Sequence, residues 1–138
     1  MSAELKITID DRVLQGLKDS TPRNVGLFLD TEAETMVNGI KLSIQQQSSG
    51  RAYRRKGKTH IASRPGDPPN IDMGTLINSY TWERDGNNTR RIGTSVDYAE
   101  YLEFGNTRGM APRPHVGPEV ERTRARLGAD AARFGIVK

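Results

Sequence analysis

The chain contains no cysteine among its 138 residues, which excludes disulfide frameworks, thiol catalysis and zinc sites with cysteine ligands. Aromatic residues make up only 6% and hydrophobic residues 34%, which predicts one domain, residues 1–138, with a modest core. No apolar run approaches the roughly 20 residues that a membrane helix requires, and the first residues lack the apolar centre of a secretory signal. We therefore expect a soluble protein synthesised in the cytoplasm.

Positive charge slightly exceeds negative charge, and the whole excess lies in one segment. The chain has 21 Lys and Arg and 17 Asp and Glu, a net charge of +4, which favours anionic neighbours. Six basic residues and no acidic residue lie between Ser48 and Gly66, which leaves 15 basic against 17 acidic residues elsewhere. The six basic residues are Arg51, Arg54, Arg55, Lys56, Lys58 and Arg64.

Residues 48–70, called the basic arm below, lack hydrophobic periodicity and are rich in Gly, Pro and Ser. This composition predicts a loop, an extended arm or a long hairpin. Three roles are open for it: an arm that faces DNA, a surface that docks onto an acidic partner protein, or charge that keeps a mobile loop soluble. Tyr53 is the one aromatic residue interleaved with the basic residues, which favours contact with backbone phosphates over base stacking.

The N-terminal third predicts one strand and one long helix. Residues 5–9 alternate between apolar and polar, the period of a half-buried strand, and a short amphipathic turn capped by Asp10 or Asp11 follows. Thr21 is expected to cap a helix that runs to Gln47, about 39 Å at 1.5 Å per residue. Its apolar residues recur at steps of three or four: Val25, Leu29, Ala33, Met36, Ile40 and Ile44.

A short helical turn and a hairpin are predicted next. Asp72 can cap the turn, which runs through Leu76. Residues 79–84 and 90–96 are rich in strand-forming residues, and the Asp-Gly-Asn-Asn cluster at 85–88 between them is a strong hairpin signal.

Two further helices complete the predicted fold. The first carries an apolar face and ends at Gly105 in a left-handed conformation. Glu100 and Glu103 lie three apart on one face of this helix and indicate a solvated or subunit-facing edge in preference to an acid/base pair. The second runs from about Pro118 to Arg133, with apolar contacts on one side and arginines on the other. The apolar residues of the first helix are Tyr98, Tyr101, Leu102 and Phe104. Those of the second are Val120, Leu127, Ala131 and Phe134, and its arginines are Arg122, Arg124 and Arg126.

These elements together predict an α+β fold. A small, mostly antiparallel sheet packs against the long helix and the C-terminal helix, and the basic arm extends from this body.

Residues 52–59 (AYRRKGKT) match the loose form of the phosphate-binding loop that ends in Gly-Lys-Thr. That loop requires a buried strand before it, small residues within it and a helix directly after it, because backbone N–H groups must surround phosphate. Here polar residues precede the match, Tyr, Arg and Lys fill it, and a Pro-rich stretch follows. We therefore interpret the match as a coincidence in a basic segment.

Catalytic residues are not evident. His60 and His115 lie in Pro- and Gly-rich stretches with no paired nucleophile or acid, so surface positions are expected for both. His60, Asp67 and Asp72 could approach a Mg²⁺, as in a nuclease, but their spacing fixes no geometry. We predict no enzyme activity, no cofactor and no metal site.

Four phrases occur in order along the chain: SGRAYRR at 49–55, ASRPGDPPNIDMGTL at 62–76, DYAEYLEFGN at 97–106 and MAPRPHVGP at 110–118. The ordered set resembles the small neck proteins of long-tailed bacteriophages, the gene-product-ten-like group of phage morphogenesis proteins. These are described as head-tail joining, tail-completion or minor tail components. Two positions depart from that pattern, because Asn106 stands where Thr is usual and His115 where Phe is usual, and the second departure could weaken a packing contact.

The resemblance implies a non-enzymatic structural protein of the virion. It would be made in the host cytoplasm and would form a homo-oligomeric ring of six or twelve subunits in the neck, at the head-tail interface. Its expected partners are further copies of itself and the adjacent head-completion or connector, tail-tube or tail-terminator proteins. The basic arm would face DNA in the channel through weak, non-specific phosphate contacts, or would dock onto a partner. The alternative is a nucleic-acid-binding or nuclease-like protein that uses residues 48–66 directly.

The resemblance also assigns expected roles to individual residues. The Pro-rich stretches at 62–70 and 111–118 are stiff enough to reach onto adjacent rings. Arg113 could form a forked ion pair with Glu103. Residues expected at subunit contacts or in the turn after the short helix are Tyr98, Tyr101, Glu103, Phe104, Gly105, Arg113 and Pro114.

Overall fold

The structure is a computed structural model that describes residues 7–10, 22–46, 50–69 and 74–136. The α+β class predicted from the sequence is confirmed. In chain order the elements are β1 (Ile7–Asp10), α1 (Pro22–Gln45), β2 (Ala52–Arg55), β3 (Lys58–Ile61), α2 (Thr75–Ser79), β4 (Thr81–Arg84), β5 (Thr89–Gly93), α3 (Ala99–Phe104) and α4 (Gly117–Arg133).

β1, β5 and β4 form an antiparallel sheet in that order, and β2 and β3 form a separate antiparallel pair. The predicted hairpin is confirmed as β4 and β5, and the predicted first strand is present as β1 within the described residues. Ile92 of the central strand is fully buried and pairs with Trp82 on β4 and Ile7 on β1. The alternation of β5 between buried and half-buried side chains is typical of a sheet that lies on a core.

Helix α1 is the spine of the fold, about 36 Å long at 1.5 Å per residue. It begins at Pro22 as predicted and ends at Gln45, two residues earlier than expected. The predicted cap Thr21, the turn at 11–17 and the predicted cap Asp72 lie outside the described residues, and Gly74 holds the N-cap position of α2. The predicted apolar stripe is confirmed, with five of its residues buried: Leu29, Ala33, Met36, Ile40 and Ile44.

Helix α4 packs on α1, and the contact includes charged groups. Phe28 and Phe134 meet edge to face at 5.7 Å, and Ala131 is buried beside them. The prediction that Arg126 faces away from the core is wrong, because its Nε lies 3.3 Å from the buried carboxylate of Glu32 on α1. Arg122 and Arg124 are exposed as predicted.

An ion pair between Asp30 and Arg90 ties α1 to the sheet. The Arg90 side chain is only 2% exposed, and its Nε donates to Asp30 Oδ1 at 2.5 Å. Its other N–H groups reach backbone carbonyls, including that of Gly26 on α1 at 3.3 Å. Partial burial opposes ionisation of Asp30, but Arg84 and Arg90 hold the pKa of that carboxyl below its usual value. The described helices include none that is long and apolar enough to cross a membrane.

Candidate functional site

The basic arm contains a β-hairpin, residues 52–61, called the basic hairpin below. Ala52 pairs with Ile61 and Arg55 with Lys58, which leaves Lys56 and Gly57 as a two-residue turn. Both turn residues have positive φ, 49° and 76°, as a type I′ turn requires. The arm is therefore a hairpin and not a structureless loop. Lys58 and Thr59 of the Gly-Lys-Thr match lie in strand β3 and not at the start of a helix, which supports the rejection of a phosphate-binding loop.

The basic hairpin is exposed on both of its faces. Arg54, Lys58 and the flanking Arg51 are exposed, as are the apolar side chains of Tyr53 and Ile61, at 40% and 42%. Among the aromatic contacts of the described residues, the Tyr53 ring makes one, edge to face at 5.1 Å with its cross-strand neighbour His60. No described helix or strand of the body packs extensively on the hairpin. An isolated two-stranded hairpin is marginally stable in water, so a partner that covers this element would stabilise it.

The base of the hairpin is fixed to the Pro-rich stretch that follows α3. Gly66 N–H donates to the carbonyl of Pro112 at 2.9 Å, and the Arg113 guanidinium donates to the carbonyl of Ser63 at 3.4 Å. The two Pro-rich stretches therefore hold each other within one subunit, where the sequence led us to expect both to reach outward. The predicted ion pair between Arg113 and Glu103 is wrong, because the guanidinium binds backbone carbonyls instead.

Helix α3 turns its aromatic residues to solvent. Tyr98, Tyr101 and Phe104 are spaced three apart and are 47%, 52% and 65% exposed. Residues at this spacing lie on one side of a helix, which is called the aromatic face below. The side toward the body carries Ala99 and Glu103 instead. Of the four apolar residues predicted for this helix, Leu102 packs against the core, whereas the three aromatic residues face solvent.

Glu103 is buried and caps helix α4 from a different part of the chain. Its Oε2 accepts hydrogen bonds from the backbone N–H groups of His115 and Val116 at 2.9 and 3.0 Å, and its Oε1 accepts from Gly117 at 2.7 Å. These N–H groups precede or begin the helix and have no helical partner, and the positive end of the helix dipole favours a carboxylate there. The prediction that Glu103 lies at a solvated or subunit-facing edge is wrong, whereas Glu100 is exposed.

His115 is fully buried, so its predicted surface position is also wrong. Its Nε2 lies 2.6 Å from the Tyr80 hydroxyl, and its Nδ1 lies 3.0 Å from the carbonyl of Arg113. A carbonyl can only accept, so Nδ1 carries the proton and Nε2 accepts from Tyr80. Burial lowers the pKa of His115 and, with the nearby Glu103 carboxylate, raises that of Tyr80. Sequence analysis missed Tyr80, since nothing in its neighbourhood points to a partner 35 residues away.

The loop after α3 folds tightly back on the helix. Gly105 has φ 75°, as predicted for the residue that ends the helix, and a Cβ there would lie 2.6 Å from the carbonyl oxygen of Met110. Asn106 Oδ1 accepts from the N–H groups of Arg108 and Met110, both at 3.0 Å. Asn106, the first departure from the phage pattern, therefore closes this loop. Pro114, beyond it, is half-buried.

The polar group that joins residues singled out from the sequence is buried. Tyr80, His115 and Glu103 form a connected polar group, but their exposures of 2%, 0% and 7% leave no approach for a substrate. No group of three or more His, Cys, Asp or Glu within the described ranges could hold a metal ion. His60 lies on the hairpin against Tyr53, and Asp72 lies outside those ranges.

The sequence-predicted site residues separate into two kinds. The basic residues of the arm with described side chains and the residues of the aromatic face are exposed. Glu103, Gly105, Arg113 and Pro114 instead join α3, the loop after it and α4 within one subunit. Comparison with known protein families, with curated proteins and with solved structures finds no match.

Proposed function

We propose that the protein is a non-enzymatic structural component of a tailed-phage virion. It forms a homo-oligomeric ring of six or twelve copies in the neck, where it joins the head to the tail or completes that connection. The ordered phrases from SGRAYRR to MAPRPHVGP are the basis in the sequence. The supporting observation in the structure is the pair of exposed surfaces, the basic hairpin and the aromatic face, on a body in which Glu103, His115 and Arg90 bond to residues of the same subunit.

Each uncovered surface has the chemistry of a protein contact. Three large aromatic side chains within seven residues, 98–104, are an unusual surface to leave in water, and aromatic residues are enriched in the buried centres of interfaces. The hairpin presents the exposed apolar side chains of Tyr53 and Ile61 among its cations, which a neighbouring chain can cover. Hydrogen bonds fix the base of the hairpin to the stretch after α3, and fix α3 to α4. Little conformational entropy is therefore lost when either surface binds a partner.

An in-frame deletion of the gene in its phage tests the proposal. Electron micrographs of the lysate are expected to show DNA-filled heads beside separate tails, and a plasmid copy is expected to restore complete particles. A plasmid copy with Phe104→Asp should fail to restore them, whereas Ala125→Asp, at an exposed position on α4, should succeed. Complete infectious particles from the deletion phage would overturn the proposal.

A nucleic-acid-binding role is the second candidate, because the exposed basic hairpin favours it. Arg51, Arg54 and Lys58 form no ion pair with any described acidic residue, so they are available to phosphates. Contacts of this kind weaken steeply between low and physiological salt, and Arg54→Glu should reduce both the affinity and its salt dependence. Tight duplex binding with that salt dependence, together with intact particles from the deletion phage, would favour this role over the neck.

A further inference from the structure

We propose that the basic hairpin of one copy docks onto the aromatic face of α3 in the next copy. This inference rests on the proposed ring and identifies the surfaces that build it. The observation behind it is that each copy carries two uncovered surfaces of complementary chemistry, neither of which covers the other in the same subunit.

The two surfaces are opposite in charge. Residues 48–66 carry six basic and no acidic residues, whereas residues 92–107, which contain α3, carry Asp97, Glu100 and Glu103 and no basic residue. Glu103 is occupied by the N-terminus of α4, but Glu100 is exposed beside the aromatic face and forms no ion pair with a described residue. Most other acidic residues of the described body pair with a cation of the same subunit, as Glu121 does with Arg124 at 2.9 Å. Glu34 is an exception, because its carboxylate accepts from Trp82 Nε1 and forms no ion pair with a described cation. The segment around α3 therefore offers the exposed carboxylate of Glu100, beside the aromatic face, to a basic partner.

The side-chain types also match. Arginine guanidinium groups stack on the faces of tyrosine and phenylalanine rings, and such contacts strengthen when water is removed. Arg54 and Arg51 supply guanidinium groups on and beside the hairpin, and Tyr98, Tyr101 and Phe104 supply the rings. Tyr53 and Ile61 add apolar area that the hairpin leaves in water. A contact that combines these groups covers the apolar part of both surfaces at once.

The dimensions and symmetry are consistent with this contact. Four residues per strand make the hairpin about 14 Å long at 3.4 Å per residue, and residues 98–104 of the aromatic face span about 10 Å. The two surfaces are different, so the contact is head-to-tail. Contacts of this kind generate a closed ring when the rotation between neighbours closes.

Cross-linking tests which surfaces meet, and the absence of native cysteine makes every introduced thiol unique. One variant carries Thr59→Cys on the hairpin and a second carries Tyr98→Cys at one end of the aromatic face, both exposed positions. A short bismaleimide is expected to join the two variants into covalent dimers when they are mixed. A chain with both substitutions should form a ladder of oligomers. Ala125→Cys on α4 replaces either partner as the control.

Charge exchange tests the chemistry of the contact. Arg54→Glu and Glu100→Arg should each weaken self-association by about five-fold, the effect of about 1 kcal/mol at an exposed pair. The combined variant should return to within about three-fold of the natural chain. Arg124→Glu, an exposed cation on α4, is the matched control and should leave self-association unchanged. Sedimentation measures the association constant of each variant.

Three results would overturn the inference: cross-linking no greater than with Ala125→Cys, equal cross-linking of each variant to itself, or no recovery in the combined charge variant. Loss of duplex DNA binding by Arg54→Glu without any loss of self-association would assign the hairpin to nucleic acid instead. The deletion phage separates this inference from the proposed function. Separated heads and tails from the deletion phage, without cross-links between Thr59→Cys and Tyr98→Cys, would reject only the proposed contact. Those cross-links together with complete particles from the deletion phage would reject only the proposed function in the neck.

Discussion

The carboxylate of Glu103 lies over the N-terminus of α4 and accepts the backbone N–H of Gly117 at 2.7 Å. A residue of α3 thereby supplies the cap that α4 lacks from its own sequence, because the residue at its N-cap position, Val116, has no side-chain acceptor. The aromatic face lies on the other side of the same short helix. The bond network of Glu103 therefore holds the exposed rings at a fixed position relative to the body.

Loss of the Glu103 carboxylate is expected to destabilise the fold. Glu103→Ala leaves the N–H groups of His115, Val116 and Gly117 without their acceptor in a buried place, so the free energy of unfolding should fall by about 3 kcal/mol. Glu103→Gln keeps one acceptor oxygen, so its free energy of unfolding should lie between those of the natural chain and Glu103→Ala. Urea unfolding measures both. Glu100→Ala, an exposed change on the same helix, should stay within about 0.5 kcal/mol, and an equal loss at both positions would contradict the capping role.

Tyr80 and His115 should show strong coupling in a double-mutant cycle. Tyr80→Phe leaves the buried Nε2 of His115 without a donor, and His115→Phe leaves the Tyr80 hydroxyl without an acceptor. Each change should lower the free energy of unfolding by about 1 to 3 kcal/mol. The combined variant removes both polar groups and should lose less than the sum of the two. Simple additivity in chemical denaturation would show that the hydroxyl–imidazole bond has no net role.

Two glycines with positive φ should respond differently to alanine. Gly86 has φ 84° with open space where a Cβ would be, so Gly86→Ala should lose only the backbone preference, about 1 kcal/mol. Gly105 has φ 75°, and its Cβ would lie 2.6 Å from the Met110 carbonyl oxygen, so Gly105→Ala should lose clearly more, about 2 to 4 kcal/mol. Thermal unfolding of the two variants compares them directly. A larger effect at Gly86 would mean that the loop after α3 opens easily.

The stability of the protein should depend on the ionisation of Glu32. Burial and the neighbouring carboxyl group of Asp130 raise the pKa of Glu32 to about 7, despite the ion pair with Arg126. The folded state therefore binds a proton that the unfolded state releases above about pH 4.5. The contribution of this proton is complete below that pH and is lost as the pH rises toward 7.

Glu32→Gln isolates this effect, because it keeps a neutral side chain of the same shape at every pH. The stability of the natural chain relative to Glu32→Gln should fall between about pH 4.5 and 7, measured as the difference in urea unfolding. The comparison cancels the titration of His115, whose lowered pKa acts in the opposite direction as the pH falls below 6.5. A constant difference across the range would show that Glu32 titrates normally.

Local sequence patterns predicted the regular elements because their signals come from neighbouring residues. The apolar steps along α1, the Asp-Gly-Asn-Asn turn between β4 and β5 and the Pro near the start of α4 are each contained within one element. Boundaries agreed to within one or two residues for α1 and α4. The basic residues of the arm were identified, but whether they form a loop or a hairpin depended on the pairing of β2 with β3.

The sequence by itself determined the α+β class, the apolar stripe of α1, the single concentrated basic segment and the exclusion of thiol chemistry. Only the tertiary structure decided that Glu103 and His115 are buried, that Arg90 crosses from the sheet to α1, and that the aromatic residues of α3 face solvent. The physical reason is that a polar group is stable in the interior only beside a specific partner. The partners of these residues lie between 12 and 64 positions away, where no local pattern records them.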